Sequence, residues 1–95
     1  MYEKCLAYEL EQAGISVEIQ KEIPVVYKGV NIESGLRLDL FVENRLVVEI
    51  KAVEKILTVH EAQILTYMKC TGAKTGLLIN FNVRLLKEGL KRFVL

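Results

Sequence analysis

The chain has 95 residues, of which 52% are hydrophobic and 26% are charged. These values fit one globular domain over residues 1–95 and leave no room for a second core. A formal net charge of +1 excludes general phosphate neutralisation as the basis of nucleic-acid binding, so any such contact is expected to be local. No apolar run approaches the roughly 18 to 20 residues that span a bilayer, and no signal peptide is recognisable, so we expect a cytoplasmic protein with no membrane contact.

The two cysteines, Cys5 and Cys70, lie far apart in the sequence. They have neither CxxC spacing nor a histidine cluster nearby, which argues against a zinc site and against a disulfide framework. We predict that both are buried free thiols.

The first third of the chain predicts a helix followed by a strand. Apolar residues at three- and four-residue spacing predict a helix that ends near residue 13, where Gly14 can adopt a left-handed conformation. From Val17 apolar and polar residues alternate as far as Ile23, and the β-favouring run Val25-Val26-Tyr27 follows Pro24. This alternation predicts one long strand, bent or at a sheet edge around Pro24.

A second helix is predicted from its capping signal. Thr58 and Glu61 have the Ser/Thr-x-x-Glu spacing of a capping box, so the helix should begin at Val59 with Thr58 as its N-cap. Gly72 is placed to terminate it.

The last part of the chain indicates the sheet type. Residues 75–80 form a nearly continuous apolar run, typical of a strand that is covered on both faces and parallel to a neighbour. A short helical turn at 84–87 and a closing strand around 90–94 follow. The predicted order, α-β-β-β-α-β-(short α)-β, is an α/β fold with a mixed sheet of four or five strands. We expect the first helix on one side and the second helix beside the parallel strands.

Two alternating runs between Gly35 and Lys51 flank Glu43-Asn44-Arg45, which has turn chemistry, and together predict a hairpin. In both runs the even-numbered positions are apolar. Cross-strand partners share a face, so the numbers of paired residues should sum to an even value such as 88. The connection should be an odd-length loop centred on Asn44 or a two-residue turn with a nearby bulge.

This register brings charged residues together. It places Asp39 opposite Glu49 and Arg37 opposite Lys51, so that Asp39, Glu49 and Lys51 converge on one face. One interpretation is a solvated sheet face whose carboxylates are bracketed by basic residues. The other is a cation site, since like charges directly opposite each other destabilise a sheet.

Phe41 and Val47 share the odd-numbered positions with these charges. Apolar residues on this face indicate that it is partly covered, which favours the cation site.

Five separated blocks carry a resemblance to a known family. They are Tyr2-Glu3-Lys4-Cys5-Leu6-Ala7-Tyr8-Glu9-Leu10, Arg37-Leu38-Asp39-Leu40, Val48-Glu49-Ile50-Lys51-Ala52-Val53, His60-Glu61-Ala62-Gln63-Ile64-Leu65-Thr66-Tyr67 and Gly76-Leu77-Leu78-Ile79-Asn80-Phe81-Asn82. In order and spacing they resemble the prokaryotic GxxExxY proteins, which are grouped with the PD-(D/E)XK nucleases. The resemblance covers essentially the whole chain and implies the restriction-endonuclease-like core of that superfamily.

The resemblance also implies a catalytic site. Asp39 would be the motif aspartate, and Glu49 with Lys51 would be the (D/E)-x-K element. Asp39, Glu49 and the backbone carbonyl of Ile50 would hold Mg²⁺ or Mn²⁺, for which carboxylate oxygens are suitable ligands. Lys51 would orient the attacking water and stabilise the transition state.

Further residues are expected to contact the substrate. Gln63 and Tyr67 would match the Q-x-x-x-Y element of the RecB-like branch, and His60 and Arg37 are additional candidates for phosphate contacts. Without the resemblance, Tyr67 is interpreted as a core aromatic residue with Gln63 as its polar neighbour, and His60 as a residue of the helix cap.

Of the GxxExxY motif that gives the family its name, this sequence contains only the tyrosine, Tyr2. Its glycine and glutamate would fall before Met1, so we expect that part of the N-terminal helix is missing and that cleavage is weak. Glu3 and Glu9 are candidates to replace the glutamate. Apolar surface left uncovered by a shortened helix would favour a homodimer.

The resulting functional prediction is a Mg²⁺- or Mn²⁺-dependent nuclease that hydrolyses phosphodiester bonds in DNA. The alternative is a non-catalytic nucleic-acid-binding or protein-assembly module that retains the nuclease fold, since fold alone does not fix function. An unrelated metabolic enzyme is not supported, because the sequence contains neither a glycine-rich phosphate loop nor a nucleophile motif.

Overall fold

The computed structural model describes residues 1–32 and 36–95. Its elements in chain order are helix α1 (Tyr2–Gln12), strands β1 (Val17–Glu22), β2 (Val25–Tyr27), β3 (Val30–Ile32), β4 (Arg37–Val42) and β5 (Leu46–Lys51), helix α2 (Thr58–Thr71), strand β6 (Thr75–Asn80), a 3₁₀ helix (Leu86–Gly89) and strand β7 (Leu90–Val94). Five strands form one sheet in the order β1-β4-β5-β6-β7. Strands β5 and β6 are parallel and the other neighbours are antiparallel. The predicted fold class and the parallel pairing of the strand at 75–80 are confirmed.

The sheet has a hydrophobic core on each side. The core under α2 contains residues from the helix and from the sheet, among them Ile64, Met68, Phe41 and Val47. The core under α1 contains Ala7, Leu40, Val42, Val48 and Ile79. The strand periodicity therefore separates two buried faces, and the predicted cover over Phe41 and Val47 is helix α2.

The predicted long strand from Val17 to Tyr27 is wrong. It divides at Ile23 and Pro24 into β1, which is an edge strand of the main sheet, and β2, which pairs only with β3 in a separate two-stranded ribbon within the described residues. Proline lacks the N–H that would continue the ladder. The turn residues Lys28 and Gly29 both have positive φ, and strand β3 after them was not predicted. Gly35, the predicted start of the next hairpin, lies outside the described residues.

The predicted helix ends are confirmed, but the predicted start of α2 is wrong. Gly14 and Gly72 have φ values of 80° and 75° at the ends of α1 and α2. Helix α2 begins at Thr58, with Leu57 in the N-cap position and no side-chain capping bond. His60 Nδ1 instead accepts the Leu57 N–H at 2.9 Å. In the described residues, neither helix is long and apolar enough to cross a membrane.

The prediction of buried thiols is also wrong. Cys5 and Cys70 are both free and exposed. Each lies on a helix whose inward-facing positions are occupied by other residues, including Ala7 on α1 and Met68 on α2. Cysteine is usually buried, but its position on the helix decides the outcome here.

Candidate active site

The β4–β5 hairpin has the predicted register at its turn end. The paired residues are Leu40 with Val48, Phe41 with Val47, and Val42 with Leu46, and each pair of numbers sums to 88. The connecting loop contains three residues and is centred on Asn44. Both Glu43 and Asn44 have positive φ, at 53° and 55°.

Beyond Leu40 and Val48, side chains replace the backbone ladder between the two strands. The Asp39 N–H donates to Glu49 Oε1 at 2.9 Å, and the Ile50 N–H donates to Asp39 Oδ2 at 2.8 Å. Each carboxyl group thus accepts a backbone N–H from the opposite strand. The structure brings Asp39 and Glu49 into direct interaction, as their positions in the sequence predict.

Glu49 is buried, with 2% of its surface exposed. Burial raises the pKa of its carboxyl group from 4.5 to about 8, because removal from water disfavours the ionised form. The Asp39 N–H and the charge of Lys51 lower this pKa, while the charge of Asp39 raises it. A strongly shifted carboxyl group beside a second carboxyl group is typical of a functional site.

Lys51 is connected to helix α2 through Gln63. Lys51 Nζ donates to Gln63 Oε1 at 3.2 Å, and Gln63 Nε2 donates to the Tyr67 hydroxyl at 2.9 Å. Tyr67 is buried, and its pKa is raised by burial and by the nearby charge of Glu49. The four-residue spacing of Gln63 and Tyr67 therefore positions both residues beside Lys51, and Tyr67 also belongs to the core, as the alternative interpretation expects.

Gln20 was not predicted, although it lies next to Asp39. Its Nε2 donates to Glu3 Oε2 at 2.7 Å and lies 3.4 Å from Asp39 Oδ1. Of the two first-helix candidates, Glu3 is thereby linked to the carboxylates, whereas Glu9 is exposed. In the sequence Gln20 is only a polar position in an alternating run, and no signal indicates its positive φ of 52°.

Strand β4 changes face at Asp39. Leu36 and Leu38 pack with the core under α2, whereas Leu40 and Val42 pack with the core under α1. The expectation that all even-numbered positions of β4 share one face is therefore wrong before Asp39. In the β1–β4 ladder the pairs on either side are present, but Gln20 and Asp39 are not paired. The left-handed backbone at Gln20 accounts for the interruption, because it departs from extended geometry.

His60 and Arg37 have other partners in the described residues. Arg37 Nη2 lies 3.2 Å from Glu22 Oε1 on β1, and both side chains are exposed. His60 accepts the Leu57 N–H at the start of α2, as expected for a residue of the helix cap. The described contacts do not link either residue to the carboxylates.

The donor atoms fit a magnesium-type ion. Within residues 1–32 and 36–95, no three His, Cys, Asp or Glu side chains form a cluster that could hold a metal ion. Mg²⁺, however, binds through one or two carboxylates and keeps several waters for exchange with substrate phosphates. Asp39 and Glu49 supply two carboxylates. The Ile50 N–H points to Asp39, and in an extended strand the carbonyl of the same residue faces the same edge, so it adds a third oxygen.

Comparisons with known proteins agree with this geometry. A family model described as the PD-(D/E)XK nuclease superfamily matches residues 1–93. No curated protein and no solved structure gives a significant match.

Proposed function

We propose that the chain, which belongs to the PD-(D/E)XK nuclease superfamily, is a divalent-metal-dependent nuclease that hydrolyses phosphodiester bonds in DNA. The observation that carries this proposal is the crossed pair of hydrogen bonds between Asp39, Glu49 and the opposite strands. These bonds fix one oxygen of each carboxyl group, and the Asp39 oxygen proposed for the cation is Oδ1, which lies 3.4 Å from Gln20 Nε2.

The proposed metal ligands are Asp39, Glu49 and the Ile50 carbonyl. When bound, Mg²⁺ or Mn²⁺ supplies Lewis-acid stabilisation of the phosphoryl oxygens and lowers the pKa of a coordinated water. The backbone N–H bonds hold both carboxyl groups in place before a cation arrives, which reduces the reorganisation needed for binding. The burial of Glu49 excludes water from one side of the site.

Lys51 is the proposed catalytic residue that contacts the reacting phosphate and the attacking water. Its ammonium group stabilises negative charge that develops on the phosphoryl oxygens. Gln63 is a positioning residue, since it accepts a hydrogen bond from Lys51 Nζ and is itself held by Tyr67. The contacts from Lys51 through Gln63 to Tyr67 orient a flexible lysine that would otherwise sample many rotamers.

A non-catalytic binding or assembly module is the second candidate. Two observations favour it: the described residues provide no cluster of three ligating side chains, and the raised pKa of Glu49 keeps this carboxyl group largely protonated at neutral pH in the absence of a cation. Homodimer formation, DNA as the substrate and a cytoplasmic location remain predictions in either case.

A cleavage assay separates the two candidates. Linear and circular DNA would be incubated with the chain in Mg²⁺, in Mn²⁺ and in EDTA. We expect weak cleavage that requires the metal and falls by at least about 100-fold in Asp39→Ala and in Lys51→Ala. Lys55→Ala, which replaces an exposed lysine in the loop after β5, is the matched control and should retain activity.

Two results would contradict the nuclease proposal. Cleavage that persists in EDTA or in both variants would come from a contaminant, and DNA binding without any cleavage in either metal would favour the non-catalytic module.

A further inference from the structure

We propose that the stacked rings of Tyr2 and Phe81 form a platform that binds an unpaired nucleobase of the DNA strand. The ring centroids are 4.6 Å apart and the ring planes differ by 3°. Tyr2 is 43% exposed, and Phe81 lies against one face of its ring. A flat aromatic face of this kind stacks with any of the bases. The inference rests on the proposed nuclease function and adds a substrate class to it.

Phe81 is hydrogen-bonded to the backbone of Lys51. Phe81 directly follows β6, and its N–H donates to the Lys51 carbonyl at 2.8 Å. Strands β5 and β6 are parallel and end together here, with Lys51 paired to Asn80. Ligands of α/β proteins commonly bind beyond the carboxyl ends of parallel strands. The platform is therefore at the edge of the sheet where a substrate would approach Lys51.

The Tyr2 side of the platform is connected to Asp39. Glu3 follows Tyr2 in the first turn of α1 and accepts a hydrogen bond from Gln20, whose amide nitrogen lies 3.4 Å from Asp39 Oδ1. The first turn of α1 thus supplies both a ring of the platform and a carboxylate of the network around Asp39. A base on Tyr2 would belong to a nucleotide near the phosphate that a cation at Asp39 and Glu49 would hold.

Core packing accounts for Phe81 but not for the partly exposed ring of Tyr2. Phe81 is half-buried and packs against the core under α1, a cluster that does not include Tyr2 in the described residues. Tyr8 provides a comparison, because it is a second exposed tyrosine of the same helix, at 61% exposure. Within the part of the chain that the structure describes, Tyr2 is stacked on a ring and Tyr8 is not.

The platform has a consequence for substrate choice. Bases in an intact duplex are stacked on one another and are unavailable to a protein ring. Single strands, overhangs and frayed ends present bases that can be stacked on an aromatic side chain. We therefore expect the chain to bind a single strand more tightly than a blunt duplex of the same sequence.

The test is a binding measurement in EDTA, in which no metal-dependent cleavage takes place. Fluorescence anisotropy would give the Kd of a labelled single-stranded oligodeoxynucleotide and of the matching blunt duplex. Tyr2→Leu still covers Phe81 but removes the aromatic face, and it should weaken single-strand binding by roughly 5- to 100-fold. Tyr2→Phe should bind as the unaltered chain does, and Tyr8→Leu is the matched control that should also leave the Kd unchanged.

A second arm identifies the base as the ligand. An oligodeoxynucleotide with abasic positions should bind the unaltered chain more weakly, by a similar factor, and should show no further loss with Tyr2→Leu. Thermal unfolding of every variant confirms that the fold is retained.

The inference is overturned if Tyr2→Leu weakens single-strand and duplex binding equally, if Tyr8→Leu has the same effect, or if the unaltered chain does not bind single strands. Since cleavage is not measured, these outcomes are distinct from failure of the nuclease proposal. If the chain binds bases through Tyr2 but never cleaves DNA, only the nuclease proposal is overturned.

Discussion

At its turn end the β4–β5 hairpin is held by backbone pairs between apolar residues, whereas at its other end the same strands are joined by the carboxyl groups of Asp39 and Glu49. The turn end is covered on both faces by the two cores. The carboxylate end buries Glu49 with a raised pKa and keeps Lys51 half-buried. The comparison indicates that the turn end contributes to stability and that the carboxylate end, the proposed cation site, lowers it.

The largest expected effect on stability is at the turn end. Leu40 has no exposed surface and belongs to the last backbone pair before the carboxylates. Leu40→Ala should lower the free energy of unfolding by about 2–5 kcal/mol, because it leaves a cavity in the core under α1. Urea denaturation followed by circular dichroism measures this. Lys51→Ala at the other end should cost less than about 1 kcal/mol, and an equal loss would contradict the division between the two ends.

Glu49→Gln should stabilise the metal-free protein. The pKa of Glu49 is raised from 4.5 to about 8 in the folded chain, so folding favours the protonated form and stability is lost as the pH rises through this range. Glutamine resembles the protonated carboxyl group at every pH. In EDTA, we expect the variant to be more stable by on the order of 1–3 kcal/mol at pH 8 and by close to nothing at pH 4.

Thermal unfolding between pH 4 and pH 8 measures this difference. Glu54→Gln, at an exposed position, is the matched control and should follow the unaltered chain. If Glu49→Gln were less stable than the unaltered chain at pH 8, the burial of Glu49 would not destabilise the metal-free protein, contrary to our inference.

A smaller effect is expected at Gln20, which adjoins the carboxylate end. Gln20 has a φ of 52°, which alanine adopts with strain and glycine adopts freely. Gln20→Ala should therefore be less stable than Gln20→Gly by about 1 kcal/mol. Both variants lack the amide that contacts Glu3 and Asp39, so both should reduce metal-dependent cleavage similarly. Urea denaturation tests the difference in stability, and the cleavage assay tests the loss of activity. If Gln20→Ala were more stable than Gln20→Gly, strain at this residue would be excluded.

The turn end and the carboxylate end of the hairpin also differ in how well the sequence predicts their structure. At the turn end, alternation and the Glu43-Asn44-Arg45 turn were sufficient for the register, since each is a local property of the chain. The convergence of Asp39 with Glu49 followed from that register. Helix ends at Gly14 and Gly72 were predictable for a similar reason, because glycine favours the left-handed conformation found there.

The features that could not be predicted depend on contacts between distant residues. Gln20 adopts a left-handed conformation with Glu3 and Asp39 as its neighbours, and a glutamine in an alternating run does not indicate this. The replacement of ladder bonds by carboxyl groups, and the change of face that moves Leu38 to the core under α2, follow from the same tertiary contacts. Periodicity describes regular strands, and the candidate site lies where the strand is irregular.

The central claim is that the carboxylate end of the hairpin binds a divalent cation. Isothermal titration calorimetry with Mn²⁺ tests it directly, with the unaltered chain, Asp39→Asn and the control Glu54→Gln. Asparagine keeps an oxygen that can accept the Ile50 N–H, so the fold should be retained while the charge is removed. We predict one Mn²⁺ per chain for the unaltered protein and for the control, and an affinity at least about tenfold lower for Asp39→Asn. Equal Mn²⁺ affinity in Asp39→Asn, or no Mn²⁺ binding by the unaltered chain, would contradict the account.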